Sequence, residues 1–155
     1  PHPEWAGHFG SGFAHTEKEP PTWKLFMSRI CLDLDGVIAR LRSPGETYES
    51  VEPVEGAVER VQALKASGHY LIIFTARHMK TCDGNPGKVV ARLAKITLDW
   101  LDRHGIPYDE IHFGKPWADV YIDDNALRFS SWADILPDGS NLPVSSETVH
   151  QEKSS

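Results

Sequence analysis

Asp33 and Asp35 stand one residue apart at the end of the apolar run Arg29-Ile30-Cys31-Leu32, and Gly36 follows them. Alternate residues of a strand face the same way, so both carboxylates project toward one point if strand geometry persists into the turn. Two carboxylates held that close repel, and the usual remedies are a shared divalent cation or a proton kept by one of them. Either remedy suits catalysis. Asp and Gly are also ordinary turn formers where a strand ends, so this pair alone does not separate a turn from a site. A second pair, Asp123-Asp124, follows the short apolar run Asp119-Val120-Tyr121-Ile122. Between the pairs lie Thr75, closing Tyr70-Leu71-Ile72-Ile73-Phe74, and Lys115, just beyond Ile111-His112-Phe113-Gly114. Four strand ends, each carrying a polar group, make a constellation.

The elements that must position these groups alternate along the chain. Val54, Val58, Val61 and Leu64 recur at helical spacing until Gly68, a stop signal, and the next strand starts at His69 or Tyr70. A longer helix is predicted from Pro86 to His104, with Val89, Leu93, Ile96 and Trp100 on one face, Val90, Thr97 and Leu101 beside it, and Gly105 at its end. Strands at 111–113 and 119–123 bracket Lys115, and a short helix follows through Leu127 and Trp132. This order implies an α/β domain whose parallel sheet is covered on both faces, with the site at the carboxyl ends of the strands.

Three regions follow from the composition along the chain. Residues 1–24 carry prolines, glycines and scattered histidines without a hydrophobic period and read as an arm or linker. His2, His8 and His15 match no compact ligand spacing, while Trp5, Phe9, Phe13 and Trp23 could dock on the domain or on a partner. Residues 25–136 form the folded domain, and the polar end, 137–155, reads as disordered. Cys31 is expected to be a small core residue and Cys82 lies in a polar loop.

At 155 residues, with 40% apolar and 25% charged residues, the chain has room for one domain with one core. A net charge of -6 argues against a nucleic-acid-binding surface. No apolar run is long enough to span a bilayer, no signal segment opens the chain, and a reducing, cytoplasmic setting is the default. The chain begins at Pro1 without an initiating methionine, as a processed form or a piece of a longer polypeptide would.

The order Asp-x-Asp-Gly-Val, an apolar run ending in Thr, then Lys, then an apolar run ending in Asp-Asp resembles the haloacid dehalogenase (HAD) superfamily of phosphotransferases. The strings Phe74-Thr75-Ala76-Arg77-His78-Met79-Lys80 and Phe113-Gly114-Lys115-Pro116-Trp117-Ala118-Asp119-Val120-Tyr121-Ile122-Asp123-Asp124 look like those of small bacterial phosphatases encoded with capsular polysaccharide genes. The resemblance covers residues 28–130. It implies a Rossmann-like three-layer sandwich and, for the site, Asp33 as a nucleophile that becomes an aspartyl phosphate and Asp35 as the acid/base. It further implies Thr75 and Lys115 on the transferring phosphoryl group, and Mg2+ held by Asp33, Asp35 through its backbone carbonyl, Asp123 and Asp124. Gly36, Ala76, Arg77, His78 and Lys88 are expected to face the substrate, with Arg77, His78 and Lys80 forming a cationic fringe at the mouth.

Many members of that superfamily carry an inserted cap, but here the intervals from Gly36 to Val54 and from Thr75 to Lys115 leave no room for a globular one. The segment Ala39 to Glu52 is a short flap at most. The expected activity is a magnesium-dependent phosphomonoesterase acting on a phosphorylated sugar, polyol or related capsule or cell-surface precursor. A phosphatase of a phosphoprotein or nucleic-acid end, and a non-catalytic binding module, are the alternatives. The partner expected is a small phosphorylated metabolite, without membrane or nucleic acid, alongside a second copy of the chain or a neighbouring domain; the open site is expected to be completed by the flap, the N-terminal arm or, as first choice, the loop from Arg77 to Lys88.

Overall fold

The computed structural model describes residues 27–149 apart from Glu147. The N-terminal arm expected at 1–24 lies outside the described residues. Three short strands, β1 (Arg29–Leu32), β2 (Tyr70–Thr75) and β3 (Glu110–Phe113), form a parallel sheet in that order. Helix α1 (Ala57–Ala66) connects the first two and α2 (Pro86–Arg103) the second two, so the expected strand-helix alternation is present through β3.

β2 shows the period of two that sheet packing imposes. Leu71, Ile73 and Thr75 are buried, whereas Tyr70, Ile72 and Phe74 are half-buried on the opposite face. Leu71 and Ile73 share one core with Leu32 of β1, with Val61 and Leu64 of α1, and with Trp100 and Leu101 of α2. Both helices therefore pack on the same face. The topology requires it: each new strand is added in the same direction, and right-handed crossovers then put both helices on one side. Covering of both faces is not seen among the described residues. The other face carries Arg29, Tyr70, Glu110 and His112, where Glu110 accepts hydrogen bonds from Arg29 at 3.0 Å and Tyr70 at 2.7 Å. These partners, with His112 foremost, hold the Glu110 carboxyl down at about 2.

A second helix layer needs a strand on the far side of β1 to reverse the winding, and the run expected to supply it does not join the sheet. Residues 119–123 are irregular, with Val120 72% and Ile122 98% exposed. β1 is consequently an edge strand. Cys31, expected in the core, is exposed because it sits on this edge and points to the uncovered face. Cys82 is the buried cysteine, packed with Met79 and Val89 beneath the loop before α2. Val90 is also more exposed than its place beside the helical stripe suggested.

α2 begins as its sequence dictates. The Asn85 side chain accepts a hydrogen bond from the Lys88 amide at 3.1 Å, and Pro86 occupies the first turn, where a missing N–H costs nothing. Beyond β3, the expected short helix is a single 3-10 turn at Trp132–Asp134. Trp132 is buried and donates to the Val37 carbonyl at 2.7 Å, as Trp100 does to the Val51 carbonyl at 2.7 Å. These two indoles pin the chain on either side of the flap. The packed body continues past Leu136, because the Asp138 carbonyl lies 2.8 Å from the His69 ring nitrogen and Leu142 packs against the core. Among the described residues, no helix is long and apolar enough to cross a membrane.

The end of β3 approaches the start of α2 at Gly114, which has φ +111°; a Cβ there would stand 2.8 Å from Pro86 Cγ. Gly114→Ala is expected to lower the unfolding free energy by about 2 kcal/mol. Urea denaturation measures this, and an unchanged midpoint would show that the β3–α2 junction gives way without strain.

Candidate active site

Because the strands are parallel, their carboxyl ends lie along one edge of the sheet, and each delivers a polar side chain there. Asp33 follows β1 directly, and Asp35 lies on a turn in which the amides of Ile38 and Ala39 donate to the Leu34 carbonyl at 3.0 and 2.9 Å. Gly36, at φ +90°, lets this turn close. Thr75 ends β2, and the amides of Gly114 and Lys115 both donate to its carbonyl, at 3.2 and 3.1 Å. That fork holds the Lys115 backbone against β2.

The two carboxylates are neutralised separately. Lys115 Nζ donates to Asp33 Oδ2 at 2.7 Å while the Leu34 amide donates to Oδ1 at 2.8 Å, and a third of the Asp33 side chain remains open to solvent. Asp35 is gripped by Arg77, whose Nε lies 3.2 Å from each carboxylate oxygen and whose Nη2 lies 2.6 Å from Oδ1. The structure thus brings together Asp33, Asp35, Thr75, Arg77 and Lys115.

Arg77 is not part of an exposed cationic fringe. Its side chain is 0% exposed, its guanidinium stacks 4.4 Å from the centroid of the Tyr48 ring and 6.0 Å from that of Trp100, and its Nη1 has no partner among the described residues. A guanidinium is drawn inward here because Asp35 supplies its counter-charge and two aromatic faces accept its planar surface. It reaches Asp35, where a substrate contact was expected. Thr75 is likewise buried, and its Oγ1 accepts the Arg77 amide at 3.0 Å, so it shapes the loop that aims Arg77.

His78 follows in the left-handed conformation at φ 64°, uncommon for a residue with a side chain, and its ring meets Tyr48 edge-on at 4.5 Å. Burial, and then the neighbouring Arg77 charge, push its pKa below the ordinary imidazole value. Lys88 stands apart from these groups, 3.7 Å from Asp83 at the start of α2. Ala76 and Gly36 are half-buried on the loops beside Asp35 and Thr75. Tyr48, Trp100, Trp117 and Tyr121 were not read as site residues. Tyr48 could have been found as the one aromatic in a charged flap, and Tyr121, whose ring lies 4.6 Å from Lys115 Nζ, as the residue two before Asp123.

Asp123 and Asp124 lie on the exposed segment outside the sheet. Asp123 Oδ1 accepts the Asn125 amide at 2.7 Å, and Asp124 accepts the Ser146 hydroxyl at 2.6 Å. Among the described residues, no three His, Cys, Asp or Glu side chains converge as a metal-ligand set. Mg2+ does not demand such a cage, since one or two carboxylates with water and phosphate oxygens suffice. The donor chemistry suits it. Asp33 and Asp123 are both hard oxygen donors, the ligand type that Mg2+ takes.

No protein-family model matches the chain. A solved structure from Vibrio cholerae is 34% identical and superimposes with a TM-score of 0.61, covering 83% of this chain and all of that one. The chain belongs to the family of that Vibrio cholerae protein. Among curated proteins, one from Chlorobaculum tepidum named "Putative 5'(3')-deoxyribonucleotidase" is 32% identical over 84 residues, 52% of this chain. The match spans 39% of that relative's length.

Two outcomes test the reading of the loop. Arg77→Ala leaves Asp35 without its counter-charge, with an expected loss of about 3 kcal/mol in denaturant unfolding; a loss under about 1 kcal/mol would mean that water replaces the guanidinium. For His78, the unfolded chain takes up a proton near pH 6.5 and the folded chain only at lower pH, so stability falls as pH drops below about 6.5. His78→Asn, which tolerates the same backbone, should flatten that slope in melting curves between about pH 7.5 and about pH 5.5. An unchanged slope would assign the dependence to another group.

Proposed function

We propose that the chain is a HAD-type phosphomonoesterase that works through an aspartyl phosphate on Asp33. The observation that carries this reading is the 2.7 Å contact of Lys115 Nζ with Asp33 Oδ2 at the carboxyl edge of the sheet, beside the Arg77–Asp35 pair. In the first step an Asp33 oxygen attacks phosphorus in line, the ester P–O bond breaks, and Asp35 gives a proton to the departing alcohol oxygen. In the second step Asp35 takes a proton from water, whose oxygen attacks phosphorus and releases the Asp33 carboxylate and inorganic phosphate. Lys115 sets a fixed positive charge against the phosphoryl oxygens, and Arg77 fixes the aim of Asp35. Mg2+, held by Asp33, the Asp35 carbonyl and Asp123, with Asp124 directly or through water, would neutralise further phosphoryl charge.

The substrate proposed is a phosphorylated sugar, polyol or related capsule or cell-surface precursor, by the sequence resemblance, in a cytoplasmic setting. A second reading, a nucleoside monophosphate, is supported by the name of the Chlorobaculum tepidum relative.

Asp33→Asn should abolish Mg2+-dependent phosphate release while leaving the melting curve of a folded protein, because an amide is nearly isosteric but cannot form the acyl phosphate. In the wild type, chelation should stop release and added Mg2+ restore it. Activity of Asp33→Asn within about tenfold of wild type, or full activity in excess chelator, would overturn the mechanism.

A further inference from the structure

A groove of about 500 Å³ opens beside the proposed phosphoryl site, between the loop that follows β2 and the loop that follows β3. Its lining is mostly apolar: Met79, Pro86, Pro116 and Trp117, with Lys80 and Asp83 as the charged members. The volume is that of a small-molecule site, and the composition, an apolar wall with a few polar groups, is the one such sites share. Trp117 is 62% exposed, a large indole left facing solvent. Lys80 Nζ lies 4.7 Å from the centroid of its ring, so one face of the indole carries the ammonium and a stacking ring would take the other.

The groove borders the proposed site through the residues on either side of Lys115. Gly114 and Pro116 line it and flank Lys115, whose ammonium is on Asp33. Its floor is fixed by the approach of Gly114 to Pro86, where even a Cβ would come within 2.8 Å of the proline ring. A phosphomonoester with its phosphoryl group at Asp33 and Lys115 must place its alcohol portion somewhere nearby. The other neighbour of Asp33, the Asp35 turn, is occupied by Arg77 under Tyr48. The groove lies on the other side, next to Lys115.

We propose that this groove seats the alcohol portion of the substrate, and that this portion is a ring presenting a flat apolar face to Trp117. The inference rests on the phosphomonoesterase reading. Met79 and the two prolines close the sides, while the Lys80 ammonium donates to ring substituents and the Asp83 carboxylate accepts from hydroxyls. A nucleobase and a pyranose both have such a face, and each stacks on an indole. An acyclic polyol phosphate does not. The groove thus selects cyclic leaving groups over open-chain ones, a distinction the phosphoryl-binding residues cannot make because every phosphomonoester offers them the same group.

The test uses the full chain with Mg2+ and three esters: thymidine 5'-monophosphate, glucose 6-phosphate and glycerol 3-phosphate. The wild type should favour at least one of the two cyclic esters over glycerol 3-phosphate by about tenfold or more in kcat/KM. Trp117→Ala should reduce that preference to within about threefold, chiefly through KM, and Trp117→Phe should keep most of it. The favoured cyclic ester tells whether a base or a pyranose occupies the groove. No preference in the wild type, or a Trp117→Ala variant that retains it, overturns the proposal. If the wild type releases phosphate from none of the three, the phosphomonoesterase reading fails by itself. Binding then decides the groove: quenching of tryptophan emission by thymidine or methyl glucoside that Trp117→Ala abolishes supports it, and no quenching of the wild type overturns it.

Discussion

Two carboxylates one residue apart can share a strand end only if positive charge is brought to each, and the rest of the domain is arranged around that requirement. β1 alone has no cation to offer at this edge. Lys115 arrives from the end of β3 and Arg77 from the loop after β2, and both are delivered by the parallel pairing that aligns the strand ends. The double acceptance by the Thr75 carbonyl joins these two deliveries, since the same backbone atom ends β2 and tethers Lys115. Asymmetry between the two acids follows from the different environments of their partners. Asp33 has a single ammonium contact and access to solvent, whereas Asp35 has a planar guanidinium held under aromatic rings.

Much of this was legible in the sequence because it rests on local signals. The apolar run of β2, the start of α2 at Pro86 and the glycine after Asp35 each have a local physical cause, and each stands where it was expected. Asp33 and Lys115 meet as the ordered motifs imply. What was not legible depends on tertiary context. Whether Val120-Tyr121-Ile122 becomes a strand is decided by pairing with β1, and an apolar tripeptide alone does not specify its partner. The exposure of Cys31 follows from that same pairing. Arg77 was read as a mouth residue because loops after strands usually face water, but the half-buried Asp35 and two distant aromatics, Tyr48 and Trp100, determine where it goes.

The flap is more tightly held than a short insertion need be. Trp100 and Trp132 bond to the carbonyls of Val51 and Val37, and Arg103 donates to the Glu49 carbonyl at 2.8 Å. Tyr48 projects from this segment onto both Arg77 and His78. The position of the flap and the grip of Arg77 on Asp35 are therefore parts of one packed unit.

The Asp33–Lys115 hydrogen bond joins residues 82 apart in sequence, and the Arg77–Asp35 pair joins residues 42 apart. Closing intervals of this length costs chain entropy that only the intervening helices and strands can offset. No short peptide excised from the chain would hold either pair, and no partly folded chain lacking β3 would place the ammonium on the acid.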